Sequence, residues 1–298
     1  MDLPLDAALA DFLDHQRARR RSDRTRELYR QTIVRLGKWL AAEGKPTTVG
    51  SVTKREINAF LIHLQSEVGP GTVALHFRNL RAFFNWLAAE EEIDASPLAR
   101  MLAPVVPDVP PPILGAEELE ALFAACKGRG VDERRDLAML MVFADTGCRL
   151  GEVHGLEVDA FNREYRTLSV TGKGNKTRTV AIGDRTLDAL NKYLRSRRAH
   201  SHTKAAAMWL GRTGPLTSSG VSQIVKKRGL AAGIEGLHPH LFRHTFAHAW
   251  LSAGGQEGDL MMLAGWSSPE MVRRYGRVAA ADRARDAHRS LSPVDRLK

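Results

Sequence analysis

Cationic and aromatic side chains cluster near the C-terminal end of the sequence. The apolar spacing of residues 240–252 predicts a helix, on which His240, Arg243 and His244 occupy positions i, i+3 and i+4. Residues at this spacing share one helix face. Tyr275 follows two arginines and is expected near the end of a second helix. A guanidinium and two imidazoles on one face, with a tyrosine beside arginines, suit the binding of an anion.

The same segment contains four histidines, His238, His240, His244 and His248. Four histidines so close together raise the question of a metal site. It has no His-Glu-x-x-His motif, no carboxylate at ligand spacing, and no nearby cysteine. We therefore expect neither a metal ion nor another cofactor.

A further cation, Arg149, follows a glycine break and opens a predicted helix within the segment TGCRLGEV. Backbone N–H groups at a helix start and a guanidinium can converge on an anion. Glu152 lies three residues further on, where it either holds Arg149 in place or simply adds an acid to the first turn.

Lys173 lies in a glycine-rich segment between two short β-type runs, residues 166–170 and 178–182. This pattern predicts a β-hairpin with the lysine at its tip. The segment is not a phosphate-binding P-loop, because it has no glycine five residues before the Gly-Lys pair and no Ser or Thr after it. A lysine at the mobile tip of a hairpin can instead contact a bound ligand.

The composition points to a basic globular protein with a polyanionic partner. The chain has 298 residues, 43% hydrophobic content, a formal net charge of +10 and a pI of about 9.9. Nucleic acid is the most common partner for such a chain. Two unpaired cysteines fit a reducing cytoplasm, and the sequence shows neither a signal peptide nor a membrane span. We expect a cytoplasmic protein without a membrane partner.

The helical periodicity divides the chain into two domains. Residues 1–102 predict a helical bundle without strands, and residues 114–298 predict a second domain with helices, a small β-hairpin sheet and a weakly anchored C-terminal tail helix. Between them, residues 103–113 contain five prolines and predict an extended linker. Two local signals are specific: Thr53 and Glu56 form a predicted capping box, and Gly276 is expected to cap the helix that carries Tyr275.

Basic side chains outside the cluster predict either a solvated face or contacts with nucleic-acid phosphates. Because their charge is largely one-sided, phosphate contacts are at least as well supported. They lie in the first turns of the bundle, on its last long helix and in the hairpin: Arg17, Arg19, Arg20, Arg21, Arg24, Arg26, Arg30, His76, Arg78, Arg81, Lys176 and Arg178.

Taken together, the ordered set of chemical residues resembles the tyrosine recombinases, the family of phage integrases and Xer-type proteins. The family's active-site positions correspond to Arg149 in TGCRLGEV, Lys173 in GKGNKTR, His240 and Arg243 in PHLFRH, Trp266 in LAGW, and Tyr275 nine residues later. The resemblance covers nearly the whole chain, and the segment FFNWLAAEEEIDASPL is similar to the last helices of the family's core-binding domain.

The resemblance implies a mainly α-helical fold with two domains. The first is a SAM-like core-binding domain, and the second is a mixed α/β tyrosine-recombinase catalytic domain. It also implies site-specific recombination and integration of double-stranded DNA through a covalent 3′-phosphotyrosine. Four copies, monomeric when free, would act on two sites through a Holliday junction, alone or with a second recombinase or accessory protein.

The residue types fit this chemistry. Arg149 and Arg243 can grip the non-bridging oxygens of a phosphodiester as planar forks. His240 can donate a hydrogen bond or take the proton of Tyr275, whose hydroxyl would attack the phosphorus. Lys173 is placed to protonate the leaving hydroxyl, and Lys176 is the second candidate.

The sequence departs from the family at Trp266, where most members have histidine. An indole has one N–H donor and does not titrate. Trp266 is therefore expected either to donate a hydrogen bond to a phosphate oxygen or only to pack.

Two other functions remain open at this point. One is a type IB topoisomerase-like enzyme, which has the same chemistry without strand exchange. The other is a DNA-binding protein that kept the fold without catalysis.

Overall fold

The structure is a computed structural model that describes residues 3–172, 174–266, 268–292 and 294–295. The chain divides into two compact units, residues 1–109 and 110–298. The division falls inside the proline-rich segment 103–113. The fold is mainly α-helical, as predicted, with a small antiparallel sheet in the second unit.

The described residues of the first unit form four α-helices and no extended strand. The helices are α1 (Leu5–Ala18), α2 (Asp23–Ala42), α3 (Lys54–Glu67) and α4 (Pro70–Ala89). The predicted capping box at α3 is confirmed: the backbone N–H of Thr53 donates to Glu56 Oε2 at 3.2 Å, and the Thr53 hydroxyl accepts from Arg55 N at 3.1 Å. These bonds satisfy donors that a helix start otherwise leaves without partners.

Aromatic side chains fill the core of the first unit. Phe12 of α1 contacts Tyr29 of α2 and Phe83 and Trp86 of α4, with ring centroids 5.1–5.3 Å apart. Phe12 and Phe83 are fully buried. Such edge-on and tilted contacts add to the free energy of burying the rings and fix the helices against one another.

The second unit contains eight helices and five short strands among its described residues. In chain order they are α5 (Ala116–Ala124), α6 (Val131–Thr146), α7 (Leu150–His154), β1 (Phe161–Asn162), β2 (Thr167–Thr171), β3 (Thr177–Ala181), α8 (Asp184–Arg197), β4 (Leu210–Gly211), β5 (Gly214–Pro215), α9 (Ser218–Ala231), α10 (Pro239–Ser252), α11 (Glu257–Ala264) and α12 (Pro269–Leu291).

The predicted β-hairpin is present as strands β2 and β3, with β1 on the outer side of β2. Leu168 pairs with Val180, and both are buried because they point to the core face of the antiparallel pair. The hairpin closes where the backbone N–H of Gly172 donates to Lys176 O at 2.9 Å. Lys173, predicted at the tip, lies outside the described residues.

Helices α10, α11 and α12 share a small core of their own. Leu251, Leu260, Trp266, Val272 and Tyr275 are its large buried members. This core encloses the predicted tyrosine, so the position of Tyr275 depends on how three helices pack.

The expectation that Gly276 ends the tyrosine's helix is wrong. Helix α12 runs from Pro269 to Leu291 without a break, and Tyr275 lies in its second turn. Gly276 instead allows α12 to lie close to α11, because a Cβ atom at this position would lie 3.1 Å from Glu257 Oε1 of α11. The expected tail helix is thus the continuation of the helix that carries Tyr275.

Within the described residues, every helix is too short or too polar to cross a lipid bilayer.

Candidate active site

Arg243 is the buried centre of the site. Helix α10 begins with Pro239 in its first turn and with His238 accepting from Leu241 N at 3.2 Å, which places Arg243 in the second turn. The Arg243 guanidinium donates to Gly147 O at 2.9 Å and to Ala264 O at 2.6 Å. Only 4% of the residue is exposed. Two carbonyl contacts of this kind fix a planar guanidinium in orientation as well as in position.

Three arginines hold the C-terminal end of helix α11. Arg178 Nε donates to Leu263 O at 2.9 Å, Arg243 to Ala264 O at 2.6 Å and Arg149 Nη2 to Gly265 O at 3.2 Å. The last carbonyls of a helix have no partner within the helix and form the negative end of its dipole. The three cations therefore stabilise this helix end and fix the segment that leads to Trp266.

Gly265 allows Arg178 to approach the helix end. It adopts a left-handed conformation with φ of +61°, and a Cβ atom there would lie 3.1 Å from the Arg178 guanidinium. Another residue at this position would be strained and would crowd the arginine.

Glu152 is the buried counter-ion of two of these arginines. Its carboxylate accepts from both terminal nitrogens of Arg178 at 2.8 and 2.9 Å, from Arg149 Nη1 at 3.0 Å and from Arg149 N at 2.8 Å. Burial opposes ionisation, but the hydrogen bonds from Arg178 and Arg149 outweigh it and lower the pKa of Glu152 to about 2. The carboxylate is thus ionised at neutral pH and holds both arginines in place.

The clustered charges also affect Arg243 and His240. Burial, followed by the charge of Arg149, lowers the pKa of Arg243 to about 10, which still leaves it protonated at neutral pH. Burial of part of the ring, followed by the charges of His238 and Arg243, lowers the pKa of His240 below its ordinary 6.5. His240 is therefore a neutral imidazole at neutral pH and can donate one hydrogen bond.

Tyr275 is stacked on Trp266 and contacts a histidine. Its ring lies parallel to the indole, with centroids 5.3 Å apart and 2° between the planes. The Arg243 guanidinium covers the Trp266 ring at 4.9 Å. The Tyr275 hydroxyl lies 2.5 Å from His244 Nδ1. Trp266 thus contacts the buried arginine and the tyrosine together and sets the spacing between them.

These side chains surround a cavity of about 250 Å³. Its lining consists of Arg149, His240, Arg243, His244, Gly265, Trp266, Ser268 and Tyr275. Five of the six residues predicted for catalysis lie here together, and the sixth, Lys173, lies outside the described residues. Two guanidinium groups and neutral donors can bind a tetrahedral anion such as a phosphate, with the phenol hydroxyl beside it.

The sequence prediction omitted two components of the site. His244 was noted on the same helix face as His240 and Arg243, but no catalytic role was assigned to it, and it contacts the Tyr275 hydroxyl. Arg178 was expected to contact DNA, whereas its guanidinium is bound to Glu152 and Leu263 O. The helical spacing signalled His244, while nothing local in the sequence indicated the partner of Arg178.

Apart from Arg178, the residues predicted to contact DNA fall into three groups. Exposed side chains that could reach a phosphate are Arg17, Arg19, Arg20, Arg21, Arg24, Arg30, Arg78 and Lys176. Arg26 is half-buried and paired with Asp23, and Arg81 is half-buried, donating to Met101 O and covering the Phe77 ring at 4.6 Å.

His76 forms the third group, because it is buried inside the bundle. Its Nδ1 lies 3.0 Å from the hydroxyl of Thr32, and Asn79 donates to the same hydroxyl at 2.9 Å. Burial, followed by the charge of Arg35, lowers the pKa of His76 below its ordinary value. This histidine connects α2 to α4.

Among the described residues, no group of three or more His, Cys, Asp and Glu side chains is arranged to hold a metal ion. Among the described residues that line the cavity, the cations are Arg149 and Arg243.

The chain is similar to known proteins over most of its length. Residues 112–282 match the phage integrase family, and residues 9–94 match the family's N-terminal SAM-like domain. The tyrosine recombinase XerC of Actinobacillus pleuropneumoniae serotype 7 (strain AP76) is 31% identical over 243 residues, which are 79% of each chain. The tyrosine recombinase XerD of Lacticaseibacillus casei is 29% identical over 272 residues, covering 90% of this chain and 92% of XerD.

Two solved structures show the same fold. The XerH site-specific recombinase bound to a palindromic difH substrate, in a post-cleavage complex, superposes with a TM-score of 0.75 at 18% identity. That match covers 92% of this chain and 82% of XerH. A lambda integrase dimer bound to a COC′ core site gives a TM-score of 0.72 at 18% identity, over 92% of this chain and 77% of the integrase.

The chain therefore belongs to the phage integrase family and is a tyrosine recombinase, an enzyme of site-specific DNA recombination.

Proposed function

We propose that the protein cuts and rejoins double-stranded DNA through a covalent bond between Tyr275 and a 3′ phosphate. The observation that carries this proposal is the cavity that Arg149, Arg243, His240 and Tyr275 line together. A free phosphodiester in this cavity would meet two fixed cations, a neutral hydrogen-bond donor and a nucleophile.

The arginines would bind the scissile phosphate in unequal ways. The Arg149 side chain is 40% exposed and still held by Glu152, so it can form a fork to the non-bridging oxygens from a fixed position. Arg243 is buried and fixed by two carbonyls, so it supplies charge that needs no rearrangement as the reaction proceeds. His240 would donate the remaining hydrogen bond.

Cleavage would proceed by in-line attack. The Tyr275 hydroxyl gives up its proton to an imidazole of the cavity, His240 or His244, as its oxygen bonds to phosphorus. The bond from phosphorus to the 5′ oxygen breaks, and the 5′ oxygen takes up a proton. Lys173 is our candidate for the donor of that proton, with Lys176 as the second candidate. Attack by the 5′ hydroxyl of a partner strand reverses these steps, so rejoining needs no external energy source and no cofactor.

The assembly around DNA is part of the proposal. Residues 1–102 would bind DNA as the core-binding domain, residues 103–113 would be the linker, and residues 114–298 would carry out catalysis. A solved relative, described as a lambda integrase tetramer bound to a Holliday junction, supports four copies acting on two sites. We propose a free monomer that forms this tetramer on DNA in the cytoplasm, alone or with a second recombinase or accessory protein.

The test begins with a preferred DNA site selected from a random pool, into which a nick is introduced so that cleaved product accumulates. The wild-type protein should form a protein–DNA adduct that survives denaturation. Tyr275→Phe should bind the site and form no adduct. Tyr165→Phe, which changes a tyrosine that is 72% exposed, should form the adduct at the wild-type rate. An adduct formed by Tyr275→Phe would refute the assignment.

Strand exchange separates this function from the topoisomerase-like alternative, which the comparisons do not favour. With two selected sites in one plasmid, a recombinase produces exchanged products, whereas a topoisomerase only relaxes supercoils.

Adduct formation should also persist in a strong chelator, because arginines supply the positive charge.

A further inference from the structure

The imidazole that contacts the Tyr275 hydroxyl belongs to His244 and not to His240, the histidine of the family motif. His244 Nδ1 lies 2.5 Å from the Tyr275 hydroxyl, and the two rings have centroids 5.5 Å apart. His240 lies one helical turn earlier, with its ring centroid 6.4 Å from that of His244. Both histidines line the cavity, but they offer different groups to the reaction.

Packing holds the hydroxyl of Tyr275 beside His244. The tyrosine is only 3% exposed and is stacked on Trp266, which the Arg243 guanidinium covers in turn. His244 and Arg243 are neighbours in the first turns of α10, so the contacts that fix Arg243 also fix the backbone that carries His244. His244 and Arg243 are thereby held at a constant spacing.

We propose that His244 is the catalytic base for Tyr275, an assignment that rests on the proposed function. As the Tyr275 oxygen bonds to phosphorus, its proton passes to His244 Nδ1, while the 5′ oxygen leaves and takes a proton from the general acid. His244 gains one proton and the acid loses one. During rejoining, the imidazolium returns its proton to the phenolate as the bond to Tyr275 breaks. His240, exposed and neutral, is left to bind the phosphate.

The first measurement compares single-turnover adduct formation on the nicked selected site. Asparagine in His244→Asn keeps a polar atom near the position of Nδ1 but cannot accept a proton at neutral pH. A lost general base typically costs 10²- to 10⁴-fold, so we expect adduct formation to slow by about 100-fold or more with DNA affinity unchanged. His248→Asn, one turn further along α10, is the matched control and should cleave at the wild-type rate.

The second measurement separates a base from a residue that only orients the phenol. Fluorotyrosine is incorporated at position 275, which makes the hydroxyl more acidic and reduces the need for a base. Fluorination should speed adduct formation by about tenfold or more in His244→Asn, and it should have little effect in His240→Asn. Equal effects in both variants, or a gain only in His240→Asn, would overturn the assignment.

The outcomes also separate this inference from the proposed function. If the wild-type protein forms no adduct, the proposed function fails. If the wild-type protein and His244→Asn form adduct at the same rate, only the role of His244 fails. DNA binding and thermal melting report on folding, and His244→Gln repeats the comparison. A loss of activity that accompanies loss of DNA binding in both variants counts against the inference, since His244 would then serve the fold.

Discussion

Arginines occur in two different settings in the two units of this protein. Around the turn between α1 and α2, Arg17, Arg19, Arg20, Arg21 and Arg24 are exposed. In the second unit, Arg178 and Arg243 are held by a buried carboxylate and by backbone carbonyls, and Arg149 is anchored by Glu152 while part of it faces the cavity.

The difference shows that burial, more than residue type, decides what a cation does. An exposed arginine contributes a screened charge that attracts any polyanion and moves freely. A buried arginine costs free energy to desolvate, and it is retained only where several acceptors compensate for that cost. The same side chain is therefore a mobile, screened charge in the first unit and a fixed group in the second.

The largest effect is expected from removing the buried counter-ion. Glu152→Ala leaves Arg178 and Arg149 without their shared carboxylate, and loss of one partner of a buried ion pair costs about 3–5 kcal/mol. Urea unfolding should show this loss in the second unit. Glu164→Ala, an exposed acid, should change the free energy of unfolding by no more than about 0.5 kcal/mol.

The pH dependence sharpens that prediction. The folded-state pKa of Glu152, about 2, lies below its ordinary value of 4.5, so its stabilisation is complete above the ordinary value and is lost as the pH falls towards 2. Glu152→Gln should therefore lose less stability than the wild type between about pH 5 and pH 2. If the melting temperatures of the two proteins fell by the same amount across this pH range, the role of Glu152 would be contradicted.

Arg243→Lys tests the fixed geometry directly. Lysine keeps the charge but cannot reach Gly147 O and Ala264 O as a planar fork while it faces the phosphate. We expect adduct formation to slow by about 10²- to 10³-fold, the usual cost of losing a preorganised donor. Arg212→Lys, at an exposed position in the same unit, should leave the single-turnover rate unchanged.

Substitutions of Trp266 distinguish its two predicted roles. Trp266→Phe keeps an aromatic ring between Arg243 and Tyr275 but removes the N–H donor, so a hydrogen bond to phosphate would appear as cleavage slower by about tenfold or more. Trp266→His keeps a donor and loses ring area. A fully active Trp266→Phe together with a slow, less stable Trp266→His would show that the indole only packs.

The smallest effects are expected from single exposed arginines. Arg21→Gln or Arg24→Gln should weaken DNA binding about equally for all sequences and reduce the slope of log affinity against log salt by about 1. The free energy of unfolding should change by no more than about 0.5 kcal/mol, as is usual for exposed positions. A change in site preference without a change in the salt slope would mean that the side chain reads bases.

Local signals in the sequence were sufficient for most of the secondary structure. The capping box of Thr53 and Glu56 is present, and the β-hairpin has its strands within one residue of the predicted runs. These features depend on residues a few positions apart, so composition and spacing reveal them. The prediction that Gly276 caps a helix was wrong for the opposite reason. The glycine lies close to Glu257 of another helix, and no residue near it in the sequence indicates that contact.

The sequence by itself determined the family, the two-domain order and the ordered set Arg149, His240, Arg243, Trp266 and Tyr275, because these follow from motifs and periodicity along the chain. Only the tertiary structure decided that His244 contacts Tyr275, that Arg178 is bound by Glu152 and that His76 lies inside the bundle. Each of these contacts joins residues 26 to 44 positions apart in the sequence. Their proximity results from the packing of helices and strands, which no local pattern of residues encodes.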